Sequence, residues 1–225
     1  MALYAIGDVH GCAATLERLL GRLALTPEDR VVFIGDYIDR GPDSPAVLDR
    51  LLGMEAASDA GTGPRCVFLR GNHDQMMLDY VDGVPDAYEL WRINGGVATL
   101  AGYMAGGRLQ IPEEHVAFLR RTVLVHEDDG FVFVHAGLDP RRSVAENLAR
   151  PDPRVFLWTR AHLDADLARW ERPVVCGHTP TSEPLNRPRL LNIDTGAVYH
   201  HLPGFGTLTA VRLPERAFIQ VPYEG

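Results

Sequence analysis

Aspartate, histidine and asparagine recur in five short phrases: Gly7-Asp8-Val9-His10-Gly11, Gly35-Asp36-Tyr37-Ile38-Asp39-Arg40-Gly41, Arg70-Gly71-Asn72-His73-Asp74, His135-Ala136-Gly137 and Gly177-His178-Thr179-Pro180. Together they look like the ligand set of a dinuclear metal site. Carboxylate, imidazole and amide oxygen donors in one set suit Mn, Fe or Zn, whereas a soft thiolate site would need paired cysteines. Cys12, Cys66 and Cys176 form no such pair. Asp8 and His10 stand two apart, so in an extended segment they face the same way.

Each phrase follows a short apolar run: Leu3–Ile6, 31–34, 66–69, Phe131–Val134 and Val174–Cys176. Runs of this length suit buried strands better than helices. Five strands thus deliver their polar residues to one edge, where open α/β sheets bind ligands. Between the first runs, Ala13–Leu23 sets Leu16, Leu19, Leu20 and Leu23 on one helical face, and 44–54 repeats the pattern with Val47, Leu48, Leu51 and Leu52. Residues 56–64, rich in Gly, Ala and Ser, read as a surface loop. The stretch 75–121 has a mainly helical pattern broken at Gly83 to Pro85, Gly95-Gly96 and Gly106-Gly107, which predicts a helical insertion. Later strand runs near Phe131, Pro173, Leu190, Leu208 and Phe218 predict a second, more antiparallel sheet. Periodicity by itself supports the class α/β.

With 225 residues, 46% of them hydrophobic, the chain can bury a full core, and one domain over 1–225 is expected. A net charge of -8 argues against a nucleic-acid or anionic-membrane binder. Every one of the 22 basic residues is arginine, which suits bidentate phosphate recognition at individual positions. Three scattered cysteines, with no apolar leader and no run of membrane-spanning length, lead to the expectation of a soluble cytoplasmic protein.

From Gly7 to about Ala197, the order of phrases resembles the phosphoprotein phosphatase family of metallophosphoesterases. The signature of that family is an Asp-x-His phrase, an Asp-x-x-Asp-Arg-Gly phrase, an Asn-His-acidic phrase and two later histidines. The resemblance implies a calcineurin-like αββα sandwich, two mixed sheets flanked by helices, with the metals at the sheet ends. It also implies that Asp8 and His10 hold one metal, Asp36 bridges both, and Asn72, His135 and His178 complete the second. The expected cofactors are two divalent ions, Mn ahead of Fe, Zn, Ni or Mg. A metal-bound hydroxide would be the nucleophile. His73 matches the acid for the leaving group, Asp39 the carboxylate that orients it, and Arg40 the arginine on the phosphate oxygens. Arg160, in Phe156-Leu157-Trp158-Thr159-Arg160, resembles a second such arginine. His115, His126, His162, His200 and His201 lie outside the phrases and are not assigned to the site.

Asn94-Gly95-Gly96, Gln75-Met76-Met77 and Asp194-Thr195-Gly196-Ala197 resemble phrases of the bacterial and lambda-phage-type Ser/Thr protein phosphatases. The leading expectation is therefore a phosphomonoesterase acting on Ser/Thr phosphoproteins, with an acceptance broad enough to include Tyr, and with a phosphoprotein or phosphopeptide as partner. The alternative is a dinucleoside polyphosphate hydrolase. Asp74 favours the alternative, since related symmetrical diadenosine tetraphosphatases carry Asp there. The intact Asp39-Arg40 pair favours the protein phosphatase, since that nucleotidase branch typically lacks the aspartate. A nucleotide substrate would need an aromatic platform for its base, for which Tyr37, Tyr88, Trp91 and Tyr103 are candidates. A catalytically silent phospho-binding scaffold is a third class, disfavoured because no ligand position departs from the pattern.

Overall fold

The computed structural model describes residues 1–225. The chain opens with β1 (Leu3–Ile6), α1 (Ala13–Leu23), β2 (Arg30–Phe33), α2 (Ser44–Asp59), β3 (Arg65–Phe68) and α3 (Asn72–Val81). A helical stretch follows: α4 (Ala87–Trp91), a π-helical turn (Arg92–Gly96), α5 (Val97–Gly102), the hairpin β4 (Met104–Ala105) and β5 (Arg108–Leu109), and α6 (Glu113–Arg121). The remainder is β6 (Val125–Asp128), β7 (Phe131–Val134), α7 (Val144–Ala149), α8 (Pro153–Trp158), β8 (Val174–Cys176), β9 (Leu185–Arg187), β10 (Leu190–Asn192), a 3₁₀ turn (Ala197–Tyr199), β11 (Thr207–Leu213) and β12 (Ala217–Pro222).

Two mixed five-stranded sheets result, in the orders β12-β11-β1-β2-β3 and β6-β7-β8-β10-β9. In the first, β1, β2 and β3 are parallel and level, with Ile6 opposite Phe33 and Phe33 opposite Phe68. In the second, β7, β8 and β10 are parallel, with Phe133 opposite Val175 and Val175 opposite Leu191. The carboxyl ends of six parallel strands therefore open on one edge of the pair of sheets, where ligands of α/β sheets bind.

Strand alternation explains the layering. Leu3, Ala5, Val32 and Ile34 point inward and meet Phe133, Val175, Leu191 and Val211 in a core between the sheets. Ile6, Val31 and Phe33 point outward onto α1 and α2, whose Leu16, Leu19, Leu20, Val47, Leu48 and Leu51 are buried as their helical spacing predicts. On the opposite outer face, Val132, Val134 and Cys176 pack beneath Phe156 and Trp170. Helices thus flank both sheets, as expected. No helix is long and apolar enough to cross a membrane.

Three local expectations are corrected. The strands at Leu208 and Phe218 join the first sheet, not the second, because β11 pairs antiparallel with β1 and buries Leu208, Ala210 and Val211. The second sheet has parallel central strands with antiparallel pairing at both of its edges. The loop expected at 56–64 starts later, since α2 runs on to Asp59; Ala56 and Ala57 are strong helix formers, and the chain turns only at Gly61 (φ 68°).

Candidate active site

Every phrase singled out for its chemistry leaves a parallel strand at this edge. Asp8 and His10 follow β1, Asp36 to Arg40 follow β2, Asn72 and His73 begin α3 after β3, His135 follows β7 and His178 follows β8. All but Arg40, which is half-buried, lie buried. His10 (φ 46°), Asp36 (52°), Asp39 (74°), Arg40 (68°) and His178 (67°) adopt left-handed backbone, a conformation costing on the order of 1–2 kcal/mol for an L-residue. Strain of this kind persists where surrounding contacts enforce it and gathers at functional sites. The strands close on one another through glycine: a Cβ on Gly71 would strike the Asp36 carboxylate, and one on Gly177 the Asp8 carboxylate.

Asp36 is the hub. Its Oδ2 lies 3.6 Å from His10 Nε2 and 3.4 Å from His135 Nε2, while its Oδ1 accepts the His73 amide at 2.9 Å. Asn72 Oδ1 faces His135 Nε2 at 3.0 Å and His178 Nδ1 at 2.9 Å. Donor atoms of His10, Asp36 and His73 lie within 4.8 Å of one another, as do those of Asp36, His135 and His178. Asp8 joins from the His178 side, accepting the His178 amide at 3.0 Å. His10 Nδ1–H donates to Ile38 O at 2.8 Å and His135 Nδ1–H to Ile34 O at 3.0 Å, which turns both Nε2 atoms into the site.

Electrostatics at the hub call for positive charge. Burial, then the neighbouring Asp194 charge, pushes the Asp8 carboxyl well above its ordinary range. Burial opposes ionisation of Asp36, but His135 and His73 hold it well below the usual carboxylate value. Burial likewise pulls His135 down, yet the Asp36 carboxylate and its hydrogen bond prevail and lift the imidazole to about 9. His10 is held neutral by burial and by Arg40, whose Nη1 donates to His10 Nε2 at 2.7 Å; His178 falls to about 3 through burial and the nearby His135. His178 Nε2 is buried with no partner. Buried carboxylates, the neutral imidazoles of His10 and His178, the His135 imidazole once a cation displaces its proton, and an amide oxygen are a donor set that fits divalent cations.

Around this hub stand the remaining residues. His73 Nδ1–H donates to Asp39 Oδ2 at 2.7 Å. The Arg40 guanidinium lies 5.6 Å from the Tyr199 ring centre. Arg160, exposed just past α8, donates from Nε to Thr179 Oγ1 at 3.2 Å, next to His178. Two residues not assigned to the site from sequence reach it. Asp194, after β10, is buried against Asp8 and Asp36, and burial raises its carboxyl to about 6. Asp74 accepts three backbone amides that tie the β2 and β3 loops together: Gly71 at 2.8 Å, Asp36 at 2.9 Å and Tyr37 at 3.1 Å. Asp74 is thus a structural tie between the two loops. The aromatic platform also needs correction. Tyr37, Trp91 and Tyr103 are buried, whereas Tyr88, 44% exposed, rests beside Tyr80, and Trp158, 39% exposed at the end of α8, stands edge-on to His178 at 6.1 Å. His115 and His162 are buried elsewhere, against Tyr103 and Trp170.

Residues 1–203 match the model of the calcineurin-like phosphoesterase family. A symmetrical bis(5'-nucleosyl)-tetraphosphatase of Methylococcus capsulatus is 35% identical over 67% of this chain and 48% of its own length. The chain thus spans about half of that relative. A second symmetrical bis(5'-nucleosyl)-tetraphosphatase, from Janthinobacterium sp., is 28% identical over 98% of this chain and 96% of its own. In three dimensions the chain is similar to a crystal structure provisionally named a diadenosine tetraphosphatase, with TM-score 0.70, 24% identity and coverage of 100% and 94% of the two chains, a likeness of fold. These relatives overturn the expected Ser/Thr protein phosphatase activity and the expected phosphoprotein partner. The motif behind that expectation does not discriminate: an Asp39–His73 pair can serve any leaving oxygen, so its presence does not say what that oxygen carries.

Proposed function

The chain belongs to the calcineurin-like phosphoesterase family, and from within it we propose that it is a metal-dependent hydrolase that splits dinucleoside tetraphosphates, such as diadenosine tetraphosphate, symmetrically into two nucleoside diphosphates. The observation that carries this reading is the name of the relatives from Methylococcus capsulatus and Janthinobacterium sp., symmetrical bis(5'-nucleosyl)-tetraphosphatase, joined to a buried donor set that suits divalent ions beside two arginines; a relative from Oceanobacillus iheyensis, 28% identical over 98% of this chain, is instead named an asymmetrical one.

Asp8, His10 and Asp36 would hold one ion and Asp36, Asn72, His135 and His178 the other, a mixed oxygen and imidazole set that suits Mn, Fe or Zn. When bound, the ions supply Lewis acidity and an activated water. Arg40 and Arg160 bind the phosphate oxygens and neutralise charge that grows toward the transition state. His73, its Nδ1–H engaged by Asp39, directs Nε2 toward the bridging oxygen and hands it a proton as one nucleoside diphosphate departs. Trp158, exposed at the end of α8 near His178, offers a face on which a base would stack.

The test compares kcat/KM for diadenosine tetraphosphate and a phosphothreonine peptide on metal-stripped protein restored with Mn. A clear preference for the dinucleotide is expected, and equal or better use of the peptide overturns the reading.

A further inference from the structure

Asp39 and Arg40 are consecutive non-glycine residues in left-handed backbone (φ 74° and 68°), an arrangement that does not persist without outside support. The support comes from the helical stretch between β3 and β6. Trp91 Nε1–H donates to both Asp39 oxygens, at 2.9 and 2.8 Å. Thr99 Oγ1–H donates to Asp39 Oδ1 at 2.7 Å, and the same oxygen accepts the Asp39 amide at 2.9 Å. Ser44, 2.8 Å from Thr99 Oγ1, accepts that amide as well at 3.0 Å. The Arg40 amide donates to Gly95 O at 3.2 Å.

Trp91 at the end of α4, Gly95 in the kink that follows and Thr99 on α5 all reach the Asp39–Arg40 turn. At this kink Gly95 departs from helical backbone, and its carbonyl accepts the Arg40 amide. Gly95 has φ 108°, and a Cβ there would meet Arg40 Cγ at 2.7 Å; a Cβ on Gly96 would meet the Trp91 indole at 2.7 Å. This accounts for Asn94-Gly95-Gly96, which is more than a tight turn.

We infer that the kinked helical stretch carrying Trp91, Gly95 and Thr99 is a clamp for the acid–base unit, with Trp91 and Thr99 as positioning residues that fix the Asp39 carboxylate and through it the ring of His73. With both Asp39 oxygens occupied by Trp91 and Thr99, the lone pair left on Oδ2 is aimed at His73 Nδ1–H. The inference rests on His73 acting as the proton donor. It differs from a packing role because it acts on one step, protonation of the leaving oxygen, and not on metal or phosphate binding.

The experiment measures kcat and KM for Mn-restored protein on phosphate esters whose leaving groups run from benzyl alcohol to 4-nitrophenol. His73→Asn defines the leaving-group dependence without the acid. Thr99→Val, which keeps shape and removes the donor, and Trp91→Phe are expected to lower kcat on the benzyl ester about 10- to 100-fold, with a much smaller loss on the nitrophenyl ester and KM little moved. Thr99→Ser, which restores the hydroxyl, is expected to recover most of that loss. Benzyl-ester kcat at wild-type levels in Thr99→Val and Trp91→Phe, or an equal loss across all leaving groups, overturns the clamp while leaving the acid in place. A His73→Asn protein with unaltered leaving-group dependence overturns the acid assignment and the clamp with it.

Discussion

Asp74→Asn is a near-isosteric change whose cost follows from counting acceptors. The Asp74 carboxyl receives three buried backbone N–H groups, with Oδ2 taking Gly71 and Asp36 and Oδ1 taking Tyr37. Both oxygens serve as acceptors, whereas an amide has one oxygen and turns its NH2 toward a donor. If the amide oxygen keeps the two bonds at Oδ2, the Tyr37 amide is stranded and faces another N–H. A stranded buried donor costs about 1–3 kcal/mol, and the facing donors bring the total to about 2–4 kcal/mol. For a chain of this size that corresponds to a fall in Tm of roughly 5–15 °C. The β2 and β3 loops carry Asp36 and Asn72, so metal affinity should weaken with stability. Urea and thermal denaturation of metal-free protein give the stability, and titration with Mn gives the affinity. A change in stability below about 0.5 kcal/mol with unaltered Mn binding would refute the idea that Asp74 ties the two loops.

Three further outcomes are expected. His162 is buried against Trp170 and is pulled by burial, then by Arg187, from 6.5 to about 4, so the unfolded chain takes up a proton that the folded chain refuses. Its contribution to stability is complete above pH 6.5 and is lost as pH falls toward 4, on the order of 3 kcal/mol in all; His162→Gln should flatten this part of the acid limb in denaturation measured from pH 7 to 4, and an unchanged limb contradicts it. Trp158→Ala should raise KM for diadenosine tetraphosphate about 5- to 100-fold through lost base stacking, read by steady-state kinetics, and an unchanged KM removes Trp158 from the base site. Asp36→Asn should retain fewer than two ions per chain by elemental analysis after Mn loading, and two ions with full activity would contradict the bridging role.

The strand ends and the polar residues they carry were legible because each phrase sits behind an apolar run of strand length, and parallel strands must present such ends at one edge. Asp8, His10, Asp36, Asn72, His135 and His178 accordingly meet there. Which sheet a late strand joins was not legible, because Thr207–Leu213 is apolar enough for either; the decision is tertiary, made where β11 covers β1. Asp74 and Asp194 escaped assignment for different reasons. Asp74 spends both oxygens on backbone amides of distant loops, a role no local pattern marks, whereas Asp194 stood in a phrase that was noted without a role being given to it. Trp91 was misread as a possible base platform because exposure cannot be judged from spacing, while Trp158 was passed over inside the phrase quoted for Arg160. The substrate was misjudged for a chemical reason: the residues proposed as ligands, arginine and acid would act on the phosphoryl group, and the leaving group's identity would be read elsewhere on the surface.

The most direct test is hydrolysis of diadenosine tetraphosphate in ¹⁸O-labelled water by Mn-restored protein, with products separated and weighed by mass spectrometry. The account predicts ADP as the nucleotide product, one labelled oxygen for each pair of ADP molecules, and no turnover in the presence of chelator. Absence of Mn-dependent cleavage, or AMP and ATP in place of ADP, would contradict it.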